Sequence, residues 1–210
     1  MHRTLITLVS MLLFIPQASM PQDAVQAQKL ITKVSSKLKS HKSLQSDFSF
    51  TLFNPEVDMK DTHKGSLLLS GSKYRLQLMG LLALCNGDAL WSINQETKEV
   101  YLMDPEENEL LDPNAIFNLV EKDFSYKWIG QSGSAVTIDL IPKLADGNYS
   151  KISMVIDQAK EQILKATYFS DDGNQYIIEI RSLLFDPPAD EGFFMYDKSK
   201  YPGFTLFDMR

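Results

Sequence analysis

From residue 46 onward, the chain consists of short segments in which apolar and polar residues alternate, separated by turn-forming residues. Phe48, Phe50 and Leu52 show the pattern first, and it recurs as far as residue 184. A period of two places successive side chains on opposite faces of a strand. Pairs such as Asn86-Gly87 favour tight hairpins. The pattern therefore predicts about ten strands in an antiparallel meander, with a polar connection at residues 54–64.

Two helices are predicted beside the strands. Apolar residues from Ala27 to Leu38 recur at helical spacing, and Pro113 after Asp112 is typical of a helix start. The C-terminal residues 185–210 are predicted to be extended and to close one edge of the sheet. Because two short helices cannot cover both faces of ten strands, we expect a single curled sheet with one face in water.

The first twenty residues differ from the rest. Arg3 precedes an apolar run from Leu5 to Ile15, and Pro16 and small or polar residues follow it. This order is typical of a secretory signal, although a buried N-terminal helix or an uncleaved anchor is the alternative. We predict a signal peptide at residues 1–20 and one domain at residues 21–210. No cysteine follows the apolar run, so lipidation is not expected there.

The charge and the single cysteine exclude some functions. A formal net charge of −6 argues against nucleic acid as a partner, because phosphates need a basic face. The lysine-rich face of the first helix could contact anionic headgroups, but a solvated face is the preferred interpretation. Cys85 lies in an apolar stretch, which favours a buried side chain over a reactive thiol.

No catalytic constellation is apparent. His41 and His63 lack the spacing of metal ligands, and the carboxylates near residues 104–109 and 171–172 are interpreted as solvated turns. We therefore predict no enzyme activity, no cofactor and no metal. What remains is apolar surface on a curled sheet, which suits either a ligand cavity or a packed core.

The order of several segments identifies a family. After the first helix come Leu44–Phe50, then Lys73-Tyr74-Arg75, and then Asn86-Gly87-Asp88-Ala89-Leu90-Trp91. This arrangement resembles the LolA family of periplasmic outer-membrane lipoprotein carriers over most of the chain. The resemblance implies a mainly β protein with two or three helices, in which a curved antiparallel sheet forms an unclosed β-barrel with a helical lid.

The resemblance also implies a function and a site. It implies a periplasmic monomer that carries triacylated lipoproteins from an inner-membrane ABC transporter to an outer-membrane acceptor. The residues expected to line its acyl-chain cavity are Phe48, Phe50, Leu52, Tyr74, Leu76, Leu78 and Trp91. Those expected in the lid are Leu30, Ile31, Val34, Ile116, Phe117, Leu119 and Val120.

One turn departs from the family. Members usually carry an Arg-Pro pair before the Lys-Tyr-Arg segment, and its arginine latches the lid; here the turn is Ser70-Gly71-Ser72. The opening cycle and the ligand can therefore differ from those of the family. Three other functions are kept as alternatives: a carrier or sensor of another envelope lipid, a hydrolase, and a structural envelope protein with a filled core.

Overall fold

The computed structural model describes residues 22–105, 124–143 and 149–210, and most of these residues lie in β-strands. Within these ranges there is one α-helix, α1 (Gln22–Lys39), and there are two short 3-10 helices, Glu191–Phe193 and Lys198–Lys200. The strands are β1 (Leu44–Asn54), β2 (Met59–Ser70), β3 (Lys73–Leu78), β4 (Leu81–Cys85), β5 (Leu90–Asn94), β6 (Glu99–Met103), β7 (Phe124–Ser132), β8 (Ala135–Pro142), β9 (Tyr149–Asp157), β10 (Gln162–Ser170), β11 (Gln175–Phe185) and β12 (Thr205–Asp208).

All the described strands belong to one sheet. Their order is β12-β6-β5-β4-β3-β2-β1-β11-β10-β9-β8-β7, so two meanders meet where β1 pairs with β11. The pairing is antiparallel throughout, except that β12 runs parallel to β6. This position of β12 confirms the prediction that the C-terminal segment closes one edge. Because β12 and β7 lie at opposite ends of the order, the described sheet is an unclosed one.

Apolar packing shows that the sheet curves around α1. Seven strand spacings separate β4 from β8, which is roughly 33 Å across a flat sheet at about 4.8 Å per strand. Yet Cys85 of β4 and Ile138 of β8 belong to the same buried cluster, together with Leu30 and Val34 of α1. A flat sheet could not bring these residues into one core, so the two meanders must bend toward each other. The face on this side is called the inner face below.

A second core lies on the opposite, outer face of β4, β5 and β6. Leu82, Leu84, Ile93 and Val100 form it, and their exposures are between 0 and 5%. The segment after β11 covers them with Tyr196, Tyr201 and Phe204. The expectation that one whole face meets water is therefore wrong for this meander, because C-terminal aromatic residues supply a cover that strand periodicity does not reveal.

The polar segment 54–64, predicted to be a connection, contains the start of a strand. Strand β2 begins at Met59, and it pairs with the whole of β1. Cross-strand pairs such as Thr51 and Thr62, whose hydroxyls are 2.9 Å apart, stabilise a strand that hydropathy does not reveal.

The helix predicted from Pro113 and the predicted signal peptide lie outside the described residues. None of the described helices is long and apolar enough to cross a membrane.

Candidate functional site: the inner face of the sheet

Register places most apolar side chains of the first meander in rows on the inner face. Directly paired residues in a sheet share a face. One row runs from Leu44 through Leu69, Tyr74 and Cys85 to Leu90, and each member is at most 6% exposed. A neighbouring row contains Ser46, Leu67, Leu76, Ala83 and Ser92.

A glycine shapes the third row. Gly65 lies between Phe48 and Leu78 in the register, and the tip of the Phe48 ring occupies the space that a side chain at residue 65 would take. A Cβ at position 65 would come within 2.3 Å of Phe48 Cζ. Only glycine leaves room for the ring at this point. Phe48 is consequently 7% exposed even though the inner face is incompletely covered here.

Helix α1 covers part of the inner face. Leu30, Ile31 and Val34 contribute to the shared core, and the helix packs against the edge strand β7. The end of α1 is fixed by a carboxylate at the end of β11. Asp186 accepts hydrogen bonds from His41 Nδ1 and from the Lys42 backbone N–H, both at 2.7 Å. The two bonds lower the pKa of Asp186, the His41 bond most.

The inner face is less covered on β3 and where β1 meets β11. Phe50 and Leu52 of β1 and Ile178 of β11 are only half-buried, as are Leu76 and Leu78 of β3. Phe50 stacks on Tyr176 with ring centroids 6.2 Å apart. Large apolar side chains that remain half-exposed on a concave surface are the expected lining of an apolar ligand site.

Comparison with known families identifies the chain. Residues 39–197 match the family described as outer membrane lipoprotein carrier protein LolA, which is well over half of the 210 residues. The chain belongs to the LolA family. The resemblance drawn from the Lys73-Tyr74-Arg75 and Asn86–Trp91 segments is thus confirmed. A comparison with curated proteins finds no match.

This chain is also similar to several solved structures. An uncharacterised conserved protein from Thermus thermophilus aligns with a TM-score of 0.58 at 8% identity, covering 87% of this chain and 99% of that one. A putative outer membrane lipoprotein-sorting protein domain from Vibrio parahaemolyticus aligns at 0.47 and 12% identity, covering 85% and 99%. LprF from Mycobacterium bovis aligns at 0.48 and 11% identity, covering 80% and 96%. The Thermus alignment, at a TM-score of 0.58, shows a common fold.

The structure places six of the seven predicted cavity residues on the inner face of this LolA-family sheet. They are Phe48, Phe50, Leu52, Tyr74, Leu76 and Leu78. Trp91 is not brought together with them, because it packs on the outer core with its ring 6.5 Å from that of Tyr196. Its neighbour Leu90 takes the inner position instead. Since both residues are apolar, alternation alone does not decide which of them points inward.

The predicted lid residues divide into two groups. Leu30, Ile31 and Val34 are on the buried face of α1 with exposures of 6% or less. The other four, Ile116, Phe117, Leu119 and Val120, lie outside the described residues, so their part in a lid stays a prediction.

Sequence reasoning did not single out the inner face of the second meander. Tyr126 and Trp128 of β7, Tyr168 of β10 and Tyr176 of β11 lie there, level with the β1 residues. Their period-two alternation is visible in the sequence. The missing information was that β11 pairs with β1, which makes the second meander the other half of the same surface.

The inner face also carries ionic groups. Asp61 and His63, 2.8 Å apart, lie on β2 beyond the end of β3, directly opposite Leu52 and Phe50 of β1. Glu99 accepts a 3.0 Å hydrogen bond from the Tyr101 hydroxyl near the β12 edge, and this bond is the main reason that the pKa of Tyr101 is raised. The two rows that contain Leu44 and Ser46 carry no charged residue from β1 to β5.

Cys85 and His41 both pack against other parts of the fold. Cys85 is 2% exposed in the shared core, and His41 stacks on Phe185 at 4.2 Å. Among the described residues no group of three His, Cys, Asp or Glu side chains could hold a metal ion.

Proposed function

We propose that this LolA-family chain is a periplasmic carrier that binds the acyl chains of lipoproteins and moves them from the inner to the outer membrane. In this proposal residues 1–20 are a signal peptide, and residues 21–210 are the carrier domain. The observation that supports it best is the set of half-buried apolar side chains on the inner face of β3, β1 and β11. An acyl chain placed there would complete the burial that α1 leaves unfinished.

Apolar contact alone is sufficient for tight binding. Each methylene transferred from water to an apolar surface contributes about 0.8 kcal/mol. Ten methylenes would contribute about 8 kcal/mol before the cost of ordering the ligand is subtracted. No charged residue is needed for this contribution.

The proposal extends to the partners of the carrier. A lipoprotein is received from an inner-membrane ABC transporter and delivered to an outer-membrane acceptor. The family description supports this direction of transport, because it names outer membrane lipoproteins as the cargo of the family.

One turn supports a second candidate, a carrier or sensor of another envelope lipid. Gly71 adopts a φ of +60°, a region that proline cannot enter and that arginine rarely adopts. An Arg-Pro pair would not fit this backbone at residue 71, so the family's latch cannot be restored there by side-chain exchange alone. A different release mechanism could serve a different ligand.

The test is to identify what the carrier holds. The full chain is produced in a bacterial envelope, purified without detergent, and its organic extract and co-purifying proteins are analysed by mass spectrometry. Triacylated lipoproteins are expected in stoichiometric amounts. Recovery of free lipid alone would favour the second candidate, and an empty protein would contradict both.

A pair of neighbouring substitutions separates binding from folding. Leu76→Glu puts a charge on the half-buried inner face, whereas Gln77→Glu puts the same charge on the exposed outer side of the same strand. Loss of cargo is expected for Leu76→Glu only, because burying an unpaired carboxylate against an acyl chain is costly. Equal retention of cargo by both variants would contradict the proposed surface.

A further inference from the structure

Two tyrosines form a pair at the end of the inner face where β9 begins and β10 ends. Tyr168 lies opposite Tyr176 on β11 and opposite Ile152 on β9, which places it on the inner face. The Tyr149 and Tyr168 rings meet edge to face, with centroids 5.7 Å apart. Both rings pack against the shared core.

A β-bulge brings Tyr149 to this position. Strict alternation from Ile152, Met154 and Ile156 would direct residue 149 to the outer face. The register shifts between Phe169 and Ser170, however, so that Tyr149 pairs with Ser170 and Ser150 is the extra residue. A bulge re-aims a side chain without breaking the strand, and such irregularities are over-represented next to functional sites.

The hydroxyl groups of the two tyrosines have no acceptor in the described part of the chain. Neither phenol forms a hydrogen bond within residues 22–105, 124–143 and 149–210. Each hydroxyl nevertheless retains accessible surface, since Tyr196 carries the one fully buried and unpaired side-chain polar atom of the described chain. Burial raises the pKa of Tyr168, and the neighbouring Tyr149 raises it further, so the phenol stays protonated in the physiological range.

The surroundings of the pair are apolar. Ile152 pairs with Leu140, and the stacked rings of Phe50 and Tyr176 continue the same surface toward β1. A ligand beside the pair would therefore meet mainly hydrocarbon around the two phenols. A polar atom buried in such surroundings is stabilised only where it finds a hydrogen-bond partner.

We infer that Tyr149 and Tyr168 form a carbonyl-binding subsite for the ester linkages of an acyl ligand, which orients its chains along the inner face. The inference rests on the proposed function and deepens it. Ester carbonyls accept hydrogen bonds from phenols, whereas acyl methylenes do not. The subsite therefore distinguishes an acyl ester from a pure hydrocarbon or an ether-linked chain.

The experiment compares two lipids that differ only in their carbonyls. The full chain is titrated with dipalmitoylglycerol and with its dihexadecyl ether analogue, by displacement of the nonpolar dye N-phenyl-1-naphthylamine. Each hydrogen bond contributes a factor of about 2 to 12 in affinity, from its net value of roughly 0.5–1.5 kcal/mol. The wild-type chain is expected to prefer the diester, and Tyr149→Phe and Tyr168→Phe each reduce that preference by about this factor while diether affinity is unchanged.

Tyr196→Phe provides the control. It also removes an unpaired hydroxyl, but from the outer core, and it should leave the diester preference unaltered. A wild-type chain that binds both lipids equally overturns the subsite while the proposed function stands. An equal loss of affinity for both lipids in Tyr149→Phe and Tyr168→Phe also overturns the subsite, because only a structural effect would lower both affinities. A chain that binds neither lipid contradicts the proposed function itself.

Discussion

Replacing Gly65 by alanine should test the packing of the inner face. A Cβ at this position would lie 2.3, 2.6 and 2.9 Å from three atoms of the Phe48 ring. Real Cβ atoms do not come this close to other heavy atoms, so the ring must leave the strand. Phe48 is 7% exposed, and the ring would have to move out of a well-packed position.

The expected cost follows from these contacts. Forcing extra volume into a packed core typically costs about 1–3 kcal/mol. Alanine also restricts the unfolded chain, which stabilises the protein by about 0.4–1 kcal/mol when the native backbone is compatible. The net loss in the free energy of unfolding should therefore be smaller than the packing cost alone, and a matched control is needed to separate the two contributions.

Gly130→Ala is that control, because a Cβ at residue 130 would meet nothing within 4 Å and the residue is not in the left-handed region. We expect Gly65→Ala to be less stable than Gly130→Ala by about 1–3 kcal/mol in urea denaturation, with an unchanged slope. Adding Phe48→Ala should remove most of the penalty at residue 65, which a double-mutant cycle measures. Equal stability of the two alanine variants would refute the packing described here.

Two further predictions concern the faces of the sheet and the end of α1. A bound acyl ligand that carries bromine should quench the fluorescence of Trp128, which lies on the inner face. The Trp91→Phe variant should therefore keep this quenching, and Trp128→Phe should lose it. The reverse result would contradict the assigned faces. The lowered pKa of Asp186 implies stability that is present above the carboxyl's ordinary value of 3.8 and is lost as the pH falls through its lower folded value. Asp186→Asn should therefore reduce the melting temperature at pH 7 more than at pH 3, and an equal reduction at both would show that the carboxylate charge is irrelevant.

Much of the architecture could be predicted from local patterns. The buried residues of α1 from Ala27 to Leu38 are the apolar positions that recur at helical spacing. The hairpin at Asn86-Gly87 forms as expected, with Gly87 at a φ of +99°. These features depend on residues within one or two turns of each other, so the sequence carries their full signal.

Prediction was weaker where distant segments determine the environment. Strand β2 begins at Met59 because β1 pairs with it, although the five residues after Met59 are polar. Tyr149 reaches the inner face only through the bulge opposite Ser170. Neither the start of β2 nor the bulge has a periodic signature, because each depends on the register with a neighbouring strand.

The sequence by itself determined that this is a strand-rich chain with an amphipathic helix, and it carried the segments that identify the LolA family. Tertiary structure alone decided which face each apolar residue occupies in relation to a ligand. Leu90 and Trp91 show the reason: both are apolar neighbours in one strand, and only the covers supplied by α1 on one side and by Tyr196 on the other make one face inner and the other outer. The position of those covers depends on contacts between segments that are far apart in the chain, and hydrophobicity along the chain does not encode them.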